Sequence, residues 1–197
     1  MSHFLFRLDF AQLNAKQVHN IFNIVYVGVI ATMSTYSWWM NLEGDDLYLL
    51  SVICVLYYFL DTAFIAIRPD SVNSTRSILL HHVFTFIFAV ETYRLPSFRS
   101  FCVQYLLVDI NTWFLMVRQM LKERYLVIEV PFYVSWVLIR LVYYPYLMFK
   151  VWGRFHESLT FKGLAVLTIF LNILNFKWSI ALFKRLAVNR LDKDYAN

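Results

Sequence analysis

The chain has 197 residues with a formal net charge of +5, and 60% of its residues are hydrophobic while only 16% are charged. Together with a mean hydropathy of +0.55, this composition excludes an ordinary soluble domain. Apolar stretches of roughly 20 residues, each able to cross about 30 Å of hydrocarbon as a helix, recur along the whole length. They are too continuously apolar for the alternating strands of a membrane barrel, so we predict an all-α membrane protein.

The predicted elements begin with a surface segment. Phe6, Phe10 and Leu13 recur at helical spacing, which is typical of a short amphipathic helix lying on the membrane. Six apolar runs follow, and their ends are predicted to within about three residues. These transmembrane helices are 18–40, 47–67, 77–95, 101–121, 128–149 and 162–184. The predicted organisation is an interfacial segment at 1–17, a six-span domain at 18–184 and a polar cytosol-side tail at 185–197.

Basic residues in the loops predict the orientation of the helices. Eleven lysines and arginines fall on the side that holds both termini, against five on the other side. Because the loops on the cytosolic side carry the excess of basic residues, we expect both termini in the cytosol or in a matrix-like compartment. This orientation also puts the glycosylation sequon at Asn73 on the cytosolic side, so we expect Asn73 to be unmodified.

Several polar side chains fall inside the predicted spans, at two depths. Counting about 1.5 Å per residue from the cytosolic ends places one layer within roughly 6 to 11 Å of that surface and a second near the midplane, at about 18 Å. Charged groups in membranes usually face the bundle interior and pair there. We expect a shallow cluster of Asp61, His81 or His82, and Lys177, and a deep pair of Asp109 and Arg140 at the level of Asn172.

These residues also have simpler interpretations. An aspartate and an arginine at equal depth suit a structural clamp between helices, and Lys177 is near enough to the surface to extend to it. Adjacent histidines point about 100° apart on a helix, so only one of them faces a given site. Thr85 shares a helix face with the histidines and is placed to orient an imidazole. The histidine pair lacks the usual spacing of a helical metal site, so we expect no bound metal.

The motif "ILLHHVFTFIF" resembles the TLC domain family of multi-pass membrane proteins, which includes the ceramide synthases and smaller lipid-linked members. The likeness continues through "KQVHNIF", "YYFLDT", "LLVDINTWFLMVRQML", "FYVSWVLIRLVYYPYL" and "LNILNFKWSIALFKRL". By resemblance, the family's histidine pair falls on His81 and His82, its preceding acid on Asp61 and its arginine on Arg140. In the smaller members a Glu-x-Ser/Asn motif occupies the fourth span, where this chain has Asp109-Ile110-Asn111.

The resemblance implies a ring of six helices around a cavity that accepts an acyl chain. Ceramide synthases add a His-Asp, a further Asp and a Leu-Glu in the fourth span, whereas this chain has only Asp109, which argues against acyl transfer. The endoplasmic reticulum is the expected membrane, with the mitochondrial inner membrane as the alternative. The expected cavity residues are Asp61, His81, His82, Thr85, Asp109, Asn111, Arg140, Asn172 and Lys177.

Three functions are consistent with these features. The first is binding of a lipid acyl chain in the bundle, linked to membrane lipid composition such as its sphingolipids. The second is a non-catalytic accessory subunit of a larger membrane complex, with other membrane subunits as partners. The third is an N-acyltransferase that uses acyl-CoA, with His81, His82 and Asp61 as catalytic residues. We favour a non-enzymatic lipid-binding role with no resident cofactor and no nucleic-acid partner.

Overall fold

The computed structural model describes residues 14–121 and 125–194, and the side chains up to residue 186. Every regular element in these ranges is helical, which confirms the all-α class. The predicted interfacial segment lies mostly outside the described residues and stays a prediction. The α-helices of the described part of the chain are α1 (Ala15–Trp39), α2 (Tyr48–Ile67), α3 (Thr75–Arg94), α4 (Arg99–Leu106), α5 (Val108–Met120), α6 (Leu126–Ser135), α7 (Tyr144–Trp152) and α8 (Leu159–Asp194).

Short elements join or interrupt these helices. Three 3₁₀ helices lie in the connections, at Gly44–Leu47, Pro69–Ser71 and Pro96–Phe98. A π-helix, Trp136–Tyr143, separates α6 from α7, so the fifth predicted span is one continuous rod with a locally widened turn. Pro131 precedes this π-helix and removes one backbone donor from the ladder, which is a common cause of irregular winding.

Within residues 14–121 and 125–194, five helical segments are long and apolar enough to cross a membrane. They are Ala15–Trp39, Gly44–Ile67, Pro96–Met120, Leu126–Trp152 and Leu159–Leu186. The third predicted span corresponds to α3, which has 20 residues but is less apolar because it carries His81, His82, Glu91 and Arg94. The chain is therefore an integral membrane protein with several spans, while the count of six and the ring remain predictions.

Both consecutive helices and helices distant in sequence pack side by side. The most extensive contacts join α2 to α3 and α1 to α5, and α8 packs on both α7 and α3. Gly28 permits the close approach of α1 and α5, because a Cβ atom at that position would lie 3.0 Å from Trp113 Nε1. The end of the bundle at the Gly44 connection is filled by apolar side chains of α4. The buried ones include Phe101, Cys102, Val103, Tyr105 and Leu106.

Candidate functional site

The Asp61 cluster consists of His19, Asn23, Tyr57, Asp61 and His82. Asp61 Oδ1 lies 2.8 Å from His19 Nε2, and Asp61 Oδ2 lies 3.3 Å from His82 Nδ1. The Asp61 side chain is only 1% exposed. A buried carboxylate is costly unless charge or hydrogen bonds compensate it. Helices α1, α2 and α3 therefore meet at Asp61, and polar groups of His19 and His82 compensate for the burial of its carboxylate.

A chain of hydrogen bonds orients this acid. The Tyr57 hydroxyl donates to Asn23 Oδ1. The Asn23 amide donates to the His19 carbonyl oxygen at 2.9 Å and to Asp61 Oδ1 at 3.3 Å. His19 Nε2 shares a hydrogen bond of 2.8 Å with Asp61 Oδ1, and Asn23 Nδ2 lies 3.0 Å from the same ring nitrogen. One nitrogen of His19 therefore contacts both polar partners in the cluster.

The two adjacent histidines have different surroundings. His82 is 8% exposed and faces Asp61, although the contact lacks the alignment of a hydrogen bond. The His81 ring is nearly perpendicular to the His82 ring, at 84°. The edge of His81 meets Trp178 of α8, with ring centroids 5.3 Å apart. His81 and His82 thus point from α3 toward different helices.

The Arg140 cluster consists of Asn111, Thr112, Trp136, Arg140 and Asn175. Arg140 donates from Nε to Asn111 Oδ1 at 2.7 Å, from Nη1 to Asn175 Oδ1 at 2.7 Å and from Nη2 to Thr112 Oγ1 at 3.0 Å. The guanidinium also lies 4.8 Å from the centroid of the Trp136 ring, a cation–π contact. Three neutral acceptors and one aromatic face therefore hold this buried cation between α5, the π-helix and α8.

The predicted Asp109–Arg140 ion pair is wrong. No nitrogen–oxygen contact of ion-pair length joins the two among the described residues, and no hydrogen bond there reaches Asp109 Oδ2. Asp109 is nevertheless only 6% exposed. Asn111 and Thr112 of the same helix instead accept hydrogen bonds from Arg140, at 2.7 Å and 3.0 Å.

Three further expectations need correction. Lys177 is exposed and lies outside the Asp61 cluster. Asn172 donates to the Thr168 carbonyl oxygen of its own helix at 2.8 Å, and its neighbour Asn175 contacts Arg140 instead. The Thr85 hydroxyl donates to the backbone carbonyl oxygens of His81 and His82 and does not orient an imidazole. The errors at Lys177 and Asn172 come from helix rotation, which depth alone does not determine.

The sequence interpretation missed six residues of these clusters, which are His19, Asn23, Tyr57, Thr112, Trp136 and Asn175. His19 and Asn23 stand four residues apart, so both lie on the face of α1 that meets Asp61. Their signal was the polar spacing within "HNIFN" in an otherwise apolar span. The remaining four, Tyr57, Thr112, Trp136 and Asn175, gave no comparable signal because these residue types occur in many packing roles.

The aromatic ring of Trp178 links the two clusters. Its centroid lies 5.3 Å from that of His81 and 5.9 Å from the Arg140 guanidinium carbon. Three buried polar atoms of the predicted site residues make no hydrogen bond within the described part of the chain: His81 Nδ1, His82 Nδ1 and Asp109 Oδ2. Buried polar atoms are nearly always satisfied by protein, water or ligand, so these atoms mark a candidate binding site.

The fold and these clusters define a class: a multi-pass all-α membrane protein with charged side chains gathered from several helices in its interior. The family model of the TLC domain matches residues 15–184, and the chain belongs to this family. The resemblance drawn from the histidine pair and its flanking motifs is thereby confirmed. Comparison with curated proteins and with solved structures gave no match.

Proposed function

We propose that this protein binds a membrane lipid inside its helix bundle, with the polar head of the lipid at the Asp61 cluster and the adjacent His81. The observation that carries the proposal is the set of buried polar atoms that make no hydrogen bond in the described part of the chain: His81 Nδ1, Asp109 Oδ2 and His82 Nδ1, of which the last has only its poorly aligned contact with Asp61. Leaving such groups without a partner costs about 1 to 3 kcal/mol each. A hydroxyl, amide or amine of a lipid head would supply the missing hydrogen bonds.

Membership of the TLC family supports the proposal, because its members are often connected with membrane lipids. The aliphatic part of the lipid would lie among the apolar side chains of the bundle, and a role in membrane lipid composition follows. By family resemblance we place the protein in the endoplasmic reticulum with both termini in the cytosol.

Native mass spectrometry of the purified protein tests this function. Wild-type protein should retain a lipid that the His82→Ala and Asp61→Asn variants lose. Two matched controls should retain it: His156→Ala, which removes an exposed histidine, and Asp70→Asn, which removes an exposed carboxylate. Hydrogen bonding from Arg68 lowers the pKa of Asp70, so Asp70 serves as an exposed carboxylate with a basic partner of its own.

Equal lipid content in all five proteins would overturn the proposal. Lipid-free protein that purifies in fixed stoichiometry with other membrane subunits would favour the accessory-subunit function instead.

A second candidate function is N-acyl transfer, and the contact between Asp61 and His82 is what favours it. A carboxylate that holds an imidazole is a common arrangement for a general base. His82 would take a proton from an amine as the amine attacks the thioester carbonyl of acyl-CoA. The amide bond forms, the carbon–sulfur bond breaks, and the released CoA thiolate receives the proton. An acyltransferase assay with a sphingoid base and acyl-CoA, comparing His82→Ala with His156→Ala, separates this reaction from binding alone.

A further inference from the structure

Two irregular stretches of backbone meet inside the bundle. The fourth span is interrupted at Leu107, between α4 and α5, and Asp109 lies in the first turn of α5. In the fifth span, the π-helix that carries Arg140 packs against α5. Interrupted helices and π-helical turns are common at binding sites, because irregular backbone is tolerated in a membrane only inside protein or beside a cavity. Both stretches carry a buried charged residue.

Arg140 has unused hydrogen-bonding capacity. A guanidinium group has five N–H donors, and Arg140 uses three of them, toward Asn111, Thr112 and Asn175. All three partners are neutral. The other two N–H groups, one on each Nη, donate to no atom within the described side chains. A polar group from outside the protein can therefore still accept hydrogen bonds from Arg140.

Asp109 has the complementary deficit. The residue is 6% exposed, and its Oδ2 makes no hydrogen bond within the part of the chain that the structure describes. Thr112, which accepts from Arg140 Nη2, follows Asp109 by three residues, so Thr112 and Asp109 share a face of α5. Asp109 and Arg140 are close enough to interact electrostatically. An unmatched acceptor thus lies about one helical turn from unmatched donors.

The chemistry of the missing partner follows from these two deficits. The partner must donate to Asp109 and accept from Arg140. An ester only accepts and an ammonium only donates, while a phosphate is repelled by the acid. An alcohol does both through a single oxygen, which at about 2.8 Å from each group bridges two atoms up to about 5.6 Å apart.

We infer that the lipid bound in the bundle is a neutral lipid whose free hydroxyl group bridges Asp109 and Arg140. This inference rests on the proposed function, which puts a lipid in the interior. Water has the same pair of hydrogen-bonding roles as an alcohol, so the test compares lipids that differ in the hydroxyl alone.

A competition between two such lipids provides the test. The purified full chain is incubated with equal amounts of dioleoylglycerol and its acetyl ester, and native mass spectrometry measures both bound forms in one spectrum. Wild-type protein should retain the alcohol at least about tenfold over the ester, as expected for one hydrogen bond to a charged group. A second pair, cholesterol and cholesteryl acetate, shows whether a sterol is the source of the hydroxyl.

Removing the acid provides the matched variant. Asp109→Leu should still retain lipid but lose the preference for the alcohol, whereas Asp46→Leu, which removes an exposed carboxyl group, should keep both. Because the Asp109 carboxyl lacks a partner at Oδ2, Asp109→Leu should resist unfolding by SDS at least as well as wild type. Asp109→Ala is the second variant. Failure of both variants to fold would show a structural role and overturn the inference.

The outcomes separate this inference from the proposed function. Equal retention of alcohol and ester in both pairs, as expected if water fills the gap, would overturn the inference and leave lipid binding intact. Absence of any bound lipid would overturn both. The variants Asp61→Asn and His82→Ala should lower retention of alcohol and ester alike, which distinguishes their loss from that at Asp109.

Discussion

His19 and Asp61, on different helices and 42 residues apart in sequence, are joined by a contact of 2.8 Å between Nε2 and Oδ1. Both side chains are almost fully buried. The contact ties the start of α1 to the end of α2 and fixes the carboxylate that faces His82. The energetics of the Asp61 cluster therefore depend on an imidazole from the first helix as much as on the histidine pair.

Replacing Asp61 with asparagine should destabilise the fold by about 2 kcal/mol, because bonds to a charged acceptor are lost in a buried site. Titration of the purified protein with SDS, followed by circular dichroism, measures the free energy of unfolding. Asp70→Asn is the control, and its exposed pair with Arg68 should contribute little. Equal stability of Asp61→Asn and wild type would show that the Asp61 carboxylate does not contribute to the free energy of unfolding.

The pairing of His19 with Asp61 predicts a non-additive double-mutant cycle. Combining His19→Ala with Asp61→Asn should cost less than the sum of the single changes, with a coupling of about 2 kcal/mol. Combining Asp61→Asn with His156→Ala should be additive, because exposed His156 makes no contact with the cluster. Additivity in the first cycle would contradict the contact.

Arg140→Lys should destabilise the fold by about 2 kcal/mol, because an ammonium cannot reproduce the three directed bonds to Asn111, Thr112 and Asn175. The same SDS titration measures this loss. Arg68→Lys changes an exposed arginine and should stay within about 0.5 kcal/mol of wild type. If Arg140→Lys and Arg68→Lys both have the free energy of unfolding of the wild type, the three hydrogen bonds of the Arg140 guanidinium do not contribute to stability.

Two glycines offer a matched test of helix packing. Gly28→Ala should cost about 1 kcal/mol, since the added Cβ would meet Trp113 Nε1 at 3.0 Å. Gly163→Ala meets nothing within 4 Å and should stabilise α8 by up to about 1 kcal/mol through helix propensity. Thermal melts compare the two. Introducing Trp113→Phe should reduce the cost at Gly28, and an unchanged cost would argue against close α1–α5 packing there.

The orientation of the chain can be tested at Asn73. Lys16 Nζ donates to Asn73 Oδ1 at 3.3 Å, so the start of α1 and the α2–α3 connection lie at the same end of the bundle. If that end is cytosolic, the Asn73 sequon stays unmodified and glycosidase treatment leaves the electrophoretic mobility unchanged. A new sequon engineered beside Glu157 in the opposite connection should be glycosylated. The reverse pattern would invert the predicted topology.

Composition and apolar runs sufficed to predict the helical membrane fold, because length and hydropathy determine which segments can enter a bilayer. Depth counting also placed Asp61 near His82. It failed for Lys177, Asn172 and the Asp109–Arg140 pair, because pairing depends on rotation about the helix axis. Packing between helices, such as the contact at Gly28, sets that rotation. The depth of a single residue in the membrane gives no information about it.

The most direct test of the lipid-binding account is an experimental density map of the full chain in a lipid nanodisc. The account predicts a lipid head within hydrogen-bonding distance of His81 Nδ1, His82 Nδ1 or Asp109 Oδ2, continuous with an aliphatic chain inside the bundle. An interior filled by protein side chains or by water alone, with these three atoms satisfied, would contradict it.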